Sequence, residues 1–309
     1  MISNIAATVG PTSTAAASLA ETCVVLQASD SYSGLERQFL RLATEGLGEA
    51  NTFLLLDSAS GSAIPERLRD CSFSFNSLEF DRWGYATFGS RMLPGHTHFP
   101  LLRFFEAHPE YDFYWLVEYD VAFTGHWKSF FAAFGGTEAD LLTCHVRTWR
   151  DEPDFLWWGS LRHPNERIDN SELIRSFNVI ARFSRQALAT LSELHRTGWA
   201  GHHEVVEPTL LRRAGLKVAD IGGTGDFVVP GFERRFYTSF STRDGLLVSL
   251  GTVRWRPTES KPGSRRNTLY HPVKPPGTFR ESPRWRETIK LGREALRHVR
   301  WRIGRRRFK

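Results

Sequence analysis

YDFYWLVEYDVAFTGHW, residues 111–127, decides how this chain is read. Tyr111 to Val117 is an apolar and aromatic run of strand length that leads straight into Glu118, Tyr119 and Asp120. Desolvating an unpaired carboxylate is costly, so two acids at the end of a buried strand point to a partner of positive charge. In an extended segment residues i and i+2 project to one side, which predicts Glu118 and Asp120 together and Tyr119 opposite. Hard divalent cations such as Mg²⁺ and Mn²⁺ take carboxylate oxygens, and ligands of parallel sheets gather at the carboxyl ends of strands.

Outward from this run the pattern is α/β. Cys23 to Gln27 predicts a strand, the turn Ala28 to Gly34 follows, and Leu35, Phe39, Leu42 and Ala43 draw a helical face. Phe53 to Leu56 then runs into Asp57, and strand, helix, strand at this spacing opens a parallel sheet. The segment from Pro65 to Asp70 is a variable connection, and Phe80 to Pro100 is loop-like. LLRFFEAH, 101–108, predicts a helix stopped by Pro109, and Lys128 to Phe134 another. Strands are expected over Asp140 to His145 and Ser176 to Phe183, with an irregular Trp-rich stretch from Arg147 to Asn170 between them. Ser184 is placed to cap a helix running to His195. GWAGHHEVVEPTLLRRAGL, 198–216, predicts a loop feeding a helix with Gly215 as its stop, and GGTG, 222–225, a turn. Beyond Pro257 the composition turns to Pro, Gly and Arg, interrupted by TLYHPVK, 268–274.

The acid-x-acid triplet in this context resembles the metal-binding signature of GT-A glycosyltransferases. More narrowly, it is similar to a group of uncharacterised sugar transferases with an EYDV, FTG and W pattern. The likeness extends over about 22–275 and implies a single GT-A-like, Rossmann-like catalytic domain over 22–276: a mostly parallel sheet flanked by helices. It implies transfer of a sugar from a nucleoside-diphosphate donor to a glycan or lipid-linked acceptor, with Mn²⁺ or Mg²⁺ neutralising the diphosphate. Asp120 is then a metal ligand, Glu118 a ligand or diphosphate neighbour, and His271 of TLYHPVK the histidine that completes the site. Lys274 is placed to assist the diphosphate. Asp30 in QASDSY, 27–32, and Asp57 are the acids implied for the nucleoside. The resemblance also implies a carboxylate base at the start of a helix, for which Glu204 is the first choice and Glu207 the second. Trp157, Trp158 and Trp199 border the implied acceptor site, where rings stack on sugars.

Two other functions fit the same residues: a carbohydrate-binding scaffold without turnover, and a metal-dependent phosphoesterase using Asp120, His202, His203 and His271. Other classes are excluded. After His203 and Glu204 the position that a zinc protease fills with histidine holds Glu207. P-loop, GxGxxG and GxSxG motifs are absent.

With 41% apolar residues in 309, the chain can fill a sizeable core. Cys23, Cys71 and Cys144 are odd in number and lie in or beside apolar runs, which suits buried thiols and a reducing, cytoplasmic setting. The opening 1–21 are expected to be a disordered lead-in, with neither a signal peptide nor an anchor. Net charge is +6, yet the eleven Arg and Lys against three Glu over 281–309 give that tail +8 and leave −2 for the rest. The body therefore offers no electrostatic reason to expect nucleic acid. In the basic tail, 277–309, Trp285, Ile289, Gly292, Leu296, Val299 and Ile303 draw a narrow apolar stripe, the composition of a helix lying on an anionic membrane surface.

Overall fold

The computed structural model describes residues 21–32, 34–247 and 251–274. The expected lead-in, apart from Glu21, and the expected basic tail lie outside these residues. In chain order the elements begin with Thr22–Ala28 (β1), Leu35–Glu45 (α1), Thr52–Asp57 (β2), Ser72–Phe75 (β3), Phe99–Ala107 (α2) and Phe113–Glu118 (β4). Ala122–Phe123 (β5), Trp127–Ala133 (α3), Leu141–Thr148 (β6), Ile174–Ser184 (β7) and Arg185–Arg196 (α4) follow. His203–Arg213 (α5), Val218–Asp220 (β8) and Leu269–Tyr270 (β9) complete them.

The main sheet has seven strands in the order β3-β2-β1-β4-β7-β6-β8. Four neighbouring pairs are parallel, and the two that involve β7 are antiparallel, so the sheet is mixed but mostly parallel. β5 and β9 form a separate antiparallel pair. The chain winds outward from β1 to β3, then returns to place β4 on the other flank of β1. The crevice above β1 and β4 is the switch point at which an α/β sheet collects ligands.

β1 is buried on both faces, which explains its continuous apolar stretch from Cys23 to Leu26. Val24, Leu26 and Ala28 pack with Phe39 of α1 and Phe130 of α3, while Cys23 and Val25 pack with Phe104 of α2 and Leu188 of α4. Helices therefore cover both faces. Each Val, Leu or Phe among them contributes roughly 1.5–3 kcal/mol by leaving water. α2 starts two residues earlier than expected because Pro100 sits in its first turn, where a missing N–H costs nothing. Ser184 caps α4 as expected, its hydroxyl accepting from Ala187 N at 3.0 Å. Cys23 and Cys144 are buried and Cys71 half-buried, all unpaired. Among the described residues no helix is long and apolar enough to cross a membrane.

The GGTG turn has a structural cause. Asp220, at the end of β8, is fully buried; its Oδ1 accepts from Gly222 N and Gly223 N, both at 3.0 Å, and from the Tyr237 hydroxyl at 2.7 Å. Its Oδ2 accepts from Val146 N at 3.0 Å. A side chain at Gly223 would collide with Tyr237, its Cβ falling 2.4 Å from the hydroxyl. Asp220→Ala would strand these donors at about 1–3 kcal/mol each, so roughly 3 kcal/mol or more of stability should be lost. Urea unfolding of the two proteins reads that loss as a lowered midpoint.

Candidate functional site

Glu118 is the last residue of β4, and the strand stops there. Val121 N donates to Glu118 O at 3.0 Å, closing a turn that holds Tyr119 and Asp120. The two carboxylates thus converge through a turn, not through strand alternation. Tyr119 consequently does not point away from the site: its ring lies 5.1 Å from Lys274 Nζ, against the sequence expectation.

TLYHPVK returns to the same point from about 150 positions along the chain. β9 pairs with β5, and Val273 N donates to Asp120 O at 2.8 Å, which docks the segment on the acid turn. His271 Nε2 then lies 3.3 Å from Asp120 Oδ1 and 3.8 Å from Glu118 Oε2. Its Nδ1 is 2.7 Å from Arg254 O; a carbonyl only accepts, so Nδ1 carries hydrogen and Nε2 is the face turned to the acids. Lys274 Nζ is 3.2 Å from Asp120 Oδ2.

The electrostatics follow this geometry. Burial, then the charge of Asp120, pushes the Glu118 carboxyl up to about 7, with His271 and Lys274 opposing. Burial would also raise Asp120, but His271 and Lys274 hold it down to about 2. His271 goes up from its ordinary value: burial disfavours its charge and Asp120 more than compensates.

Glu118, Asp120 and His271 can each offer one atom so that all three atoms lie within 4.8 Å of one another. Asp120 Oδ1 is buried without a hydrogen-bond partner. Two carboxylates and an imidazole suit a divalent ion of the Mn²⁺ type, and a buried carboxylate oxygen whose neighbour is His271 Nε2 at 3.3 Å fits such a ligand. His202 and His203, named with Asp120 and His271 for a phosphoesterase, are not members of this group.

The other predicted residues separate. Asp57 Oδ1 accepts from Ala59 N and Ser77 N, both at 3.0 Å, so this acid shapes the turn that follows β2. Asp30, beyond β1, is exposed and accepts from the Ser62 hydroxyl. Trp158 and Trp199 are buried, whereas Trp157 is half-buried and stacks on His202 at 4.4 Å between ring centres. Glu204 lies in the first turn of α5, capped by His202. Burial first, then Glu118 and Glu152, pushes its carboxyl up to about 7 against the pull of Arg175. Glu207, one turn on, is 1% exposed and accepts from Asn178 Nδ2 at 2.6 Å.

Sequence reasoning missed the group behind Glu204. Arg175 of β7 is 1% exposed; its Nε donates to Glu152 Oε2 at 2.7 Å and its Nη2 to Gly245 O at 2.6 Å. Its Nη1 is 4.0 Å from Glu204 Oε2. Glu152 also pairs with His145 Nε2 at 2.7 Å and accepts from the Ser241 hydroxyl. An arginine inside the apolar run after Ile174 was the available signal, because a buried charge requires a partner.

In comparison with known families, the family described as a protein of unknown function (DUF3405) matches residues 55–143, a span that includes the acid turn. No curated protein matches the chain.

Proposed function

We propose that this chain is a metal-assisted glycosyltransferase of GT-A-like fold, acting on a nucleoside-diphosphate sugar and a hydroxyl acceptor. The observation that carries the reading is the convergence of Glu118 and Asp120 with His271 and Lys274 at the switch point between β1 and β4. Glu118, Asp120 and His271 would hold a divalent cation, which supplies charge neutralisation for the departing diphosphate. Lys274 adds a second positive charge on the same side. Glu204 takes the proton of the acceptor hydroxyl as that oxygen bonds to the sugar carbon and the bond from that carbon to the diphosphate breaks. Arg175 keeps a fixed positive charge beside the Glu204 carboxylate.

A thermal-shift screen of nucleotide sugars with and without Mn²⁺ tests this. A ligand at about 100 times its Kd stabilises the native state by about 2.7 kcal/mol, so a true donor should raise the melting temperature only when Mn²⁺ is present. If every nucleoside diphosphate and nucleotide sugar leaves the transition unmoved, the reading fails.

A further inference from the structure

One helical turn beyond Glu204, a chain of buried polar groups links α5 to β6, β7, α4 and His98 at the entry to α2. The donor and acceptor roles can be fixed from one end. His195 Nδ1 lies 2.8 Å from the carbonyl of Trp199, which can only accept, so Nδ1 carries the hydrogen. In a neutral ring Nε2 is then an acceptor. Burial holds His195 neutral, moving it down to about 4, and burial likewise holds His98 well below its ordinary range. His98 Nε2, at 2.8 Å from His195 Nε2, must therefore be the donor, which leaves a bare lone pair on His98 Nδ1. That nitrogen is buried without a hydrogen-bond partner and faces Glu207 Oε1 at 3.5 Å.

The other end is consistent. The Thr143 hydroxyl donates to Asn178 Oδ1 at 2.8 Å, so the Asn178 amide nitrogen is free to donate to Glu207 Oε2 at 2.6 Å. An ionised Glu207 would set an oxygen lone pair against the lone pair of His98. It would also add a negative charge to a centre where Glu118, Asp120 and Glu204 already share His271, Lys274 and Arg175. A hydrogen on Oε1 removes both conflicts and gives His98 Nδ1 a donor.

We propose that Glu207 is held as an un-ionised carboxylic acid that donates from Oε1 to His98 Nδ1. This bond anchors α5 one turn beyond Glu204 and makes Glu207 a positioning residue for Glu204. The positioning half rests on the reading of Glu204 as base; the protonation half does not. Such a bond joins α5 to His98, the residue that leads into α2, while Asn178 ties the same carboxyl to β7, so α5 is held from two sides just beyond Glu204.

Infrared spectra of the full chain decide the protonation half. They are taken at about pH 8.5, well above the ordinary carboxylate range, so that the difference between wild type and Glu207→Gln assigns the band. The carbonyl stretch of an un-ionised carboxyl is expected in the wild type and lost in Glu207→Gln. Its absence from the wild type, or its persistence unchanged in Glu207→Gln, overturns the proposal. The positioning half is read from kcat and donor KM. Glu207→Leu should lower kcat at least about tenfold, about 1.4 kcal/mol in the barrier, with donor KM unchanged. Glu207→Gln should restore it, because its amide nitrogen donates to His98 and its oxygen accepts from Asn178. A Gln variant as slow as the Leu variant refutes the positioning role. If the wild type transfers no sugar at all, the transferase reading and the positioning role fall together, while the infrared band still stands or falls by itself.

Discussion

Asp120→Asn should abolish Mn²⁺-dependent binding of UDP and leave the chain folded. The amide matches the carboxylate in shape, so the volume between β4 and the His271 segment is kept, and the main-chain bond from Val273 N to Asp120 O does not involve the side chain. What is lost is the strongest negative charge of the site, the one that His271 and Lys274 hold ionised. An affinity loss of about a hundredfold or more, about 2.7 kcal/mol, is expected in calorimetric titration of UDP plus Mn²⁺. Circular dichroism of the same samples should match the wild type. Equal affinity in the two proteins would remove Asp120 from the site.

Much of this arrangement could be read from the sequence because its cause is local. The apolar run ending in Glu118 announces a buried strand whose terminus carries charge, and β1, α1, β2 and α4 follow from periodicity and caps in the same way. β3 and β8 were not legible. SFSF and VAD are only four and three residues long, and at the sheet margins their burial is partial, so no hydrophobic period marks them. The direction of β7 is also silent: all eleven residues are buried, and such a run looks the same parallel or antiparallel. Asp57 illustrates a different limit. An acid after a strand predicts a ligand contact or a turn equally well, and only the N–H groups of Ala59 and Ser77 show that it organises a turn. Long-range polar partners such as Glu152 with Arg175, or His98 facing Glu207, lie 23 and about 110 positions apart, beyond any local pattern.

Glu204→Gln should divide binding from chemistry. Glu204 is not among the groups that converge on a cation, so UDP plus Mn²⁺ should bind the variant as it binds the wild type. Transfer should fall at least about a hundredfold if this carboxylate accepts the acceptor proton, within the roughly 10²–10⁴ that a general base contributes. The pH profile supplies a sharper sign. A base works only when ionised, and burial moves Glu204 up to about 7, so kcat/KM of the wild type should rise through that pH and level off above it. Glu118 titrates in the same range in the free chain, but with a saturating divalent cation beside it the carboxylate stays ionised, leaving the rising limb to Glu204. In Glu204→Gln the limb should vanish along with the rate. Arg175 adds a cross-check: removing the competing carboxylate by Glu152→Gln should leave more of its charge to Glu204 and shift the limb to lower pH. A variant that keeps the wild-type rate and the same limb would take the base role away from Glu204, and since Glu207 is sealed at 1% exposure, it would leave a retaining mechanism without such a base as the surviving form of the transferase reading.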